Sequence, residues 1–382
     1  MILRANPRLR YAWRNWLRSN SDFSDKLGAW RRLMARRRRS FFSQFRSISR
    51  NIKTIFSSLV GLGVIGTIGY FSWPGSGLWS NNEDENAPGE SIVVELSPKS
   101  SSQIKIGTFN IENFGTSQLE KPEVMATLAD IAMSFDVLAV QEISAKNGNA
   151  LNDLVTKMNE ADEDRFDYLV SPLLGKDPSK KGSDTEQFGF IYDTKRIELA
   201  DKEHLGFVVS AKKFGKMFNR LPVVSSFKVS SSLSSNPFSF SLVTFHNVPD
   251  KERKRWEEET ANIRFVLEDV RKVLATEDDI ILLGDFNASA DKIQSSLSSL
   301  KEEFVTAITL EKTNVKQTKS YDNLVFAKKA TTEFIEGKVF DFSEVCKKYD
   351  AQLDDVSDHF PVVATFGIEE NKKIERIASK KQ

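Results

Sequence analysis

The stretch that most restricts how this chain of 382 residues can fold is Ile280 to Ala288, where Ile-Ile-Leu-Leu stops abruptly at Gly284-Asp285-Phe286-Asn287. Four consecutive apolar residues are too few for a surface helix and too continuous for a half-exposed strand, so they predict the centre of a covered sheet. Gly284 allows a turn where the strand stops. Asp285 and Asn287 lie two apart, on one side of extended chain, and deliver a carboxylate and an amide to the strand tip. Such a strand requires packed layers on both of its faces.

The sequence from Gln103 onward supplies them. Ile104 to Phe109 alternates with period 2 and leads to Asn110. Lys121 to Phe135 places Val124, Met125, Leu128, Ile131 and Phe135 at helical spacing, with Pro122 near its start. Asp136 to Val140 reads as a second buried strand, ending at Gln141-Glu142. A helix over 151–158 precedes strands over 188–192, 222–229 and 238–245. The longest helical pattern, Arg255 to Leu274, turns Ile263, Val266, Leu267, Val270 and Leu274 to one side. Leu324 to Phe326 and Pro361 to Phe366 complete the series, and no fixed-period repeat occurs. Helices between strands at both ends, with a β-rich middle, predict an α/β fold of two packed sheets flanked by helices.

The net charge of +1 conceals two differently charged parts. Residues 1–53 hold 13 Arg and 2 Lys against Asp22 and Asp25, a net of +13, so the remainder sums to −12. Between them no charged residue occurs from Lys53 to Glu83. Within that interval Thr54 to Trp73 has the 20 or so apolar and small residues that cross a bilayer as a helix. Basic residues precede it and acids follow, which predicts a single transmembrane anchor, a cytoplasmic 1–53 arm and an extracytoplasmic remainder. Arg31, Arg32 and Arg36 to Arg39, interleaved with Trp13, Trp16, Trp30, Phe41 and Phe42, suit anionic lipid headgroups. Residues 74–102 read as a flexible linker rich in Pro, Gly, Ser and acids, and 368–382 as a charged tail. Cys346 is the only cysteine, so no intramolecular disulfide can form and stability must come from the core.

Polar residues gather at predicted strand ends: Asn110, Glu142, Glu186, His246, Asp285 with Asn287, and Asp358-His359. Open α/β sheets collect function outside such ends. Two of the chain's three histidines fall in this set. Carboxylates and amides without Cys or a His-x-x-x-His pair suit Mg²⁺ or Mn²⁺ rather than Zn²⁺. Such an ion polarises a phosphoryl oxygen. Two histidines could divide the proton transfers, each needing a carboxylate to fix its tautomer. These parts together predict phosphoester hydrolysis. Acyl transfer by a serine triad is the competing enzyme class, but no Gly-x-Ser-x-Gly elbow occurs to support it.

Four blocks resemble the endonuclease/exonuclease/phosphatase superfamily: Thr-Phe-Asn-Ile (108–111), Val-Gln-Glu-Ile (140–143), Leu-Gly-Asp-Phe-Asn-Ala (283–288) and Ser-Asp-His-Phe-Pro-Val (357–362). Three more resemble its deoxyribonuclease I branch: Glu186 to Tyr192, Phe218-Asn-Arg220-Leu-Pro222, and Val243 to His246 before Asn-Val-Pro249. The resemblance covers about residues 103–367 and implies a four-layer α/β sandwich of two mixed sheets. It implies Glu142 as principal metal ligand, with Asn110 and Asp358 beside it. It further implies His359 as general base oriented by Asp322, and His246 as general acid paired with Glu186. Asp285 and Asn287 would hold the scissile phosphate and a second ion or water, and Arg220 would grip a backbone phosphate.

The expected function is therefore a Mg²⁺-dependent endonuclease acting on nucleic acid, with DNA foremost. A phosphatase or phospholipid phosphodiesterase, or a binding homologue without catalysis, are the alternatives. Ser144 stands where secreted deoxyribonucleases usually place a groove-reading arginine, with Lys146 as a substitute. The loops that hold structural Ca²⁺ in that branch are not recognisable. A net of −12 opposes tight DNA binding unless Lys176, Lys180, Lys181, Lys212, Lys213 and Lys216 gather on the substrate face. No chemistry is expected of His204 or Cys346.

Overall fold

A computed structural model describes residues 99–144, 150–162, 165–175, 185–200 and 207–371. The basic arm, the Thr54–Trp73 span, most of the linker, Lys146, Lys176, Lys180, Lys181 and His204 lie outside the described residues. Among those described, no helix is long and apolar enough to cross a membrane.

In chain order the first strands are β1 (Gln103–Phe114), β2 (Val137–Ile143), β3 (Phe166–Val170), β4 (Gln187–Asp193), β5 (Ile197–Leu199) and β6 (Phe207–Val208). They are followed by β7 (Val223–Val229), β8 (Ser239–His246), β9 (Ile280–Asp285), β10 (Phe304–Thr306), β11 (Asp322–Ala327), β12 (Phe334–Val339) and β13 (Val362–Gly367). Among the described residues the five longer helices are α1 (Pro122–Met133), α2 (Ala150–Ala161), α3 (Arg253–Val273), α4 (Ala290–Leu297) and α5 (Ser343–Tyr349). One sheet has the order β12-β13-β1-β2-β4-β3 and the other β10-β11-β9-β8-β7-β5, with β6 paired to β7. Among the described strands only β1 with β2, and β8 with β9, run parallel, each pair joined by a helical crossover.

The layers follow from which side chains each element must hide. α1 presents Val124, Leu128 and Ile131 to the outer face of the first sheet, where they meet Leu138 and Val140. Pro122 starts it where the N–H would lack a partner in any case. α3 lays Ile263, Val266, Leu267 and Val270 on the outer face of the second sheet, against Val243, Phe245 and Leu282. Each such side chain contributes about 1.5–3 kcal/mol by leaving water. Between the sheets the filling is aromatic, with Phe227, Phe238, Phe240 and Phe366 in ring contact at 5.1 to 5.9 Å. The fold is thus helix, sheet, sheet, helix, as the sequence predicts, with no disulfide and the Cys346 thiol buried.

Several boundaries differ from expectation. β1 runs past Asn110 to Phe114, and β2 past Val140 to Ile143, because a shared irregularity lets both strands continue beyond their polar residues. The body also starts ahead of Gln103, since the Lys99 ammonium bonds the Phe135 carbonyl and Asp193. It extends past Gly367, where Phe238 N–H donates to Ile368 O and Glu370 N–H to Asn236 O. The short strands β3, β5, β6, β10 and β12 escaped the pattern because they are half-exposed or only two to six residues long.

Gly284 does more than end a strand. It sits inside β9 at φ +135°, and a Cβ there would lie 2.0 Å from the Phe245 carbonyl oxygen of β8. Two backbones can approach this closely only without a side chain. Gly284→Ala is expected to destabilise the protein by about 3 kcal/mol or more, read as a lower unfolding midpoint in urea.

Candidate active site

The two parallel pairs decide where the polar residues meet. Asn110 pairs with Gln141 across β1 and β2, and His246 with Asp285 across β8 and β9. Glu142 is one residue beyond Gln141, so the carboxyl ends of both pairs carry side chains into one region. The antiparallel β9/β11 register then sets Asp322 directly opposite Asp285. His359 arrives from the loop before β13, where Ser357 Oγ donates to Asn110 O at 2.7 Å and accepts the His359 N–H at 3.0 Å.

Each histidine is oriented by its own carboxylate. His246 Nδ1 lies 2.8 Å from Glu186 Oε1, and His359 Nδ1 lies 2.8 Å from Asp322 Oδ2. The acids accept from Nδ1–H, which leaves each Nε2 free to act. Both Nε2 atoms face the same oxygen, Asp285 Oδ2, at 3.7 Å and 3.9 Å. Burial disfavours both imidazolium ions most, but the surrounding carboxylates together outweigh it, Glu186 and Asp285 at His246, and Asp322 with Asp285 and Asp358 at His359, so both pKa values rise, that of His359 strongly. Burial and the facing Asp322 push the Asp285 carboxyl up.

Oxygen donors gather beside the histidines. Asn110 Nδ2 donates to Glu142 Oε1 at 3.0 Å and to Asp285 Oδ2 at 3.1 Å. Its Oδ1 is buried with no hydrogen-bond partner. Burial raises the Glu142 carboxyl, but His246, the Asn113 N–H and the Asn110 amide offset this and hold it below its ordinary value. Glu142 adopts φ +61°, costly for a residue with a Cβ, as do Asn113 and Asn287 at φ 49°. Asp358 is half-exposed, with Oδ1 3.7 Å from His359 Nε2. Burial, together with Glu142 and Asp285, raises its carboxyl.

Sequence reasoning missed Glu112. Burial and the nearby Asp358 and Glu142 charges raise its carboxyl, which marks a place where negative charge is crowded. The signal was available, since Glu112 lies two residues beyond Asn110 on the same strand. An orphaned buried amide oxygen beside Glu142, Glu112 and Asp358 fits a hard divalent cation. Asp285, Asp322 and His359 also bring ligand atoms within 4.8 Å of one another. Two of them, however, already share the His359–Asp322 hydrogen bond, so they are better described as a proton-transfer unit.

Arg220 is nearly buried. Its Nε lies 2.9 Å from Glu186 Oε2, the second oxygen of the carboxylate that orients His246, and its Nη1 has no partner. Asn287 N–H donates to Asp285 Oδ1, while its amide nitrogen donates to Asn247 O. Glu259 is a second missed residue. Buried in the apolar stripe of α3, it accepts from Asn219 N–H at 2.6 Å and Val248 N–H at 2.9 Å, tying the Arg220 and His246 segments together. Burial raises its carboxyl. Its place four residues before Ile263 in that stripe was the readable sign.

Of the expected lysines, Lys216 lines a cavity of about 730 Å³ with Lys254, Arg255, Phe218 and Asn219, next to Arg220 in the chain. Lys213 instead pairs with Asp269 at 2.6 Å. Ser144 is occupied with the end of β1, donating to Asn113 O and Phe114 O.

The raised histidine pKa values carry a definite sign. A folded-state pKa above the unfolded value near 6.5 gives stability that is complete below about pH 6.5 and fades as pH rises through the folded pKa. In cation-free protein, imidazole ¹⁵N resonances are expected to titrate above 6.5 for His246 and higher still for His359. Asp322→Asn should move the His359 titration down and leave His246 in place; no movement at His359 would contradict the pairing.

The chain is also similar in sequence to known proteins. The model of the Endonuclease/Exonuclease/phosphatase family matches residues 107–301. A deoxyribonuclease gamma of Mus musculus is 28% identical over 276 residues, covering 68% of this chain and 83% of that protein. A deoxyribonuclease-1 of Oryctolagus cuniculus is 25% identical over 276 residues, covering 69% of this chain and 92% of that protein. Among solved structures, a family member from Bacteroides thetaiotaomicron has a TM-score of 0.46 and 18% identity, covering 70% of this chain and 98% of its own. With the family model spanning half of the chain, and the two sheets and their polar ends arranged as described, the chain belongs to the endonuclease/exonuclease/phosphatase family.

Proposed function

We propose that this protein is a divalent-cation-dependent endonuclease that hydrolyses backbone phosphodiesters of DNA. The observation that carries the reading is the pair of carboxylate-oriented histidines whose Nε2 atoms, 3.7 Å and 3.9 Å from one Asp285 oxygen, flank a single place. A phosphodiester needs a base on one side of phosphorus and an acid on the other. The similarity to deoxyribonucleases gamma and 1 favours a nucleic-acid substrate.

In this reading the neutral form of His359 takes the proton of the attacking water, its basicity raised by Asp322, which stabilises the imidazolium that forms. His246, charged through Glu186, gives a proton to the leaving oxygen. The unpartnered Nη1 of Arg220 and the Asn287 amide hold non-bridging oxygens. Asp285, pushed toward its neutral form by burial and Asp322, can donate to another. Glu142, Asn110, Asp358 and Glu112 would hold Mg²⁺ or Mn²⁺, which supplies charge neutralisation at the phosphoryl group when bound. The substrate strand continues over the cavity edged by Lys216, Lys254 and Arg255, whose charges offset the acidic remainder. The hydrophobic 54–73 segment anchors the protein in a membrane, with the arm cytoplasmic, able to meet anionic lipid, and the catalytic domain on the other side.

Conversion of supercoiled plasmid to nicked circles by the full chain tests the proposal. Nicking is expected with Mg²⁺ and not with EDTA. His246→Ala and His359→Ala should each lower the rate by about 10²–10⁴-fold, and Arg220→Lys should weaken substrate binding more than turnover. Intact plasmid over a range of Mg²⁺ and Mn²⁺, with turnover of phosphomonoesters or phospholipids instead, would overturn it.

A further inference from the structure

The far end of β9 carries a second concentration of buried acid. Asp279 directly precedes the strand whose other end is Asp285, and its side chain is fully buried. Neither of its carboxylate oxygens makes a well-formed hydrogen bond, the Thr331 hydroxyl being the one donor near it among the described residues. Glu277, Asp278 and Asp279 each bring an oxygen within 4.8 Å of the others. Glu333, 4% exposed, also faces Asp279; its Oε1 accepts the Asn371 N–H, and its Oε2 is buried without a partner. Thr331, 2% exposed, turns its buried Oγ1 toward Asp279 without closing a well-formed hydrogen bond. Among the described residues, neither Asp279 nor Glu333 is paired with a Lys or Arg.

A buried carboxylate without donors is strongly penalised, and it is relieved by a proton or by a cation. Burial and the facing Glu333, Glu370 and Glu277 push Asp279 up to about 9, so a proton is the default. One proton, however, supplies one donor and neutralises one carboxylate. Asp279 and Glu333 are two buried acids, with three unpartnered carboxylate oxygens between them and a hydroxyl oxygen beside. A divalent ion matches the charge of both and serves several oxygens at once. The donors are all hard oxygens on irregular chain, which suits the larger, less exacting Ca²⁺.

We propose that Asp279, Glu333, Glu277 and Thr331 hold a Ca²⁺-like divalent cation that clips the two sheets together at the pole opposite the catalytic centre. Asp279 opens β9 in one sheet, and Glu333 leads into β12 of the other. The same corner is crossed by the Phe238–Ile368 backbone bond. The ion would therefore hold two sheets where no disulfide does.

The test is equilibrium dialysis with ⁴⁵Ca²⁺ and thermal unfolding of the full chain carrying Glu112→Gln and Glu142→Gln, which removes cation binding at the catalytic end. At about 1 mM Ca²⁺ this protein should retain one ion per chain and gain about 3 °C in Tm. Adding Asp279→Asn or, separately, Glu333→Gln should abolish both the ion and the gain. The second variant serves if the first does not fold. Equal Ca²⁺ binding with and without these changes would overturn the proposal. So would a Tm indifferent to Ca²⁺ but lowered by Lys372→Ala with Lys373→Ala, since the lysines after Asn371 would then supply the charge. Neither readout involves nicking, so the result stands apart from that of the nuclease reading.

Discussion

The interaction on which the rest of the site depends is the hydrogen bond from Asn110, in the first sheet, to Asp285, in the second, at 3.1 Å. Two twisted sheets packed through apolar side chains can slide over one another at little cost, because dispersion has no direction. Polar bonds across the gap remove that freedom. Beneath Asn110 a second link does the same: Thr108 donates to Gln141 Oε1, and Gln141 Nε2 donates to Thr244 Oγ1. All are buried, so a slip would leave several donors and acceptors unpaired at about 1–3 kcal/mol each. The aromatic layer holds the sheets together, and this polar seam fixes their alignment under the histidines.

That alignment forces like charges together. The β9/β11 register sets Asp285 against Asp322, both almost wholly buried, and Glu142 is only a hydrogen bond away through Asn110. Two histidines, with Arg220 beside Glu142 and Glu186, are the positive charge close enough to offset this, and the raised histidine pKa values express that demand. The bend at Glu142, with its positive φ, gives the carboxylate the Asn113 N–H at 2.9 Å and turns it toward the site. Strain at this residue is stabilised by the same seam that crowds the acids, so site and scaffold are not separable parts.

Much of this was legible in the sequence because strand ends are where buried chain meets polar requirement. The apolar runs before Gln141, His246 and Asp285 marked three sheet-buried strands, and the residues after them had to be those that converge. Asp322 was expected through the family resemblance alone, because the apolar run after it, Leu324 to Phe326, is short; it is the first residue of β11. Glu112 and Glu259 were missed for opposite reasons. Glu112 follows Asn110 where β1 was expected to have ended, so the continuing period of 2 was not applied. Glu259 sits in a helical face read for its apolar members, so a carboxylate standing in that stripe was passed over, although the two loop N–H groups that it bonds could not be named from the sequence. Ser357, which ties the His359 loop to Asn110, is a common residue whose importance lies wholly in its partners. The pairing of both oxygens of Glu186, one to His246 and one to Arg220, likewise depends on three segments meeting.

The single strand β9 also shows why the two polar ends of the sandwich can differ in character. Six steps of extended chain separate Asp279 from Asp285, roughly 20 Å. At that distance, with an effective dielectric near 20, two charges interact by less than about 1 kcal/mol. Ionisation at one end therefore barely moves the other, although both lie on one rigid element. Ile280 to Leu283 between them are completely shielded by helix on one side and the opposite sheet on the other, which excludes water that could link the ends. Charge that would be intolerable if gathered in one place is thus divided between two poles, and the apolar run that restricts the fold most is also what insulates them.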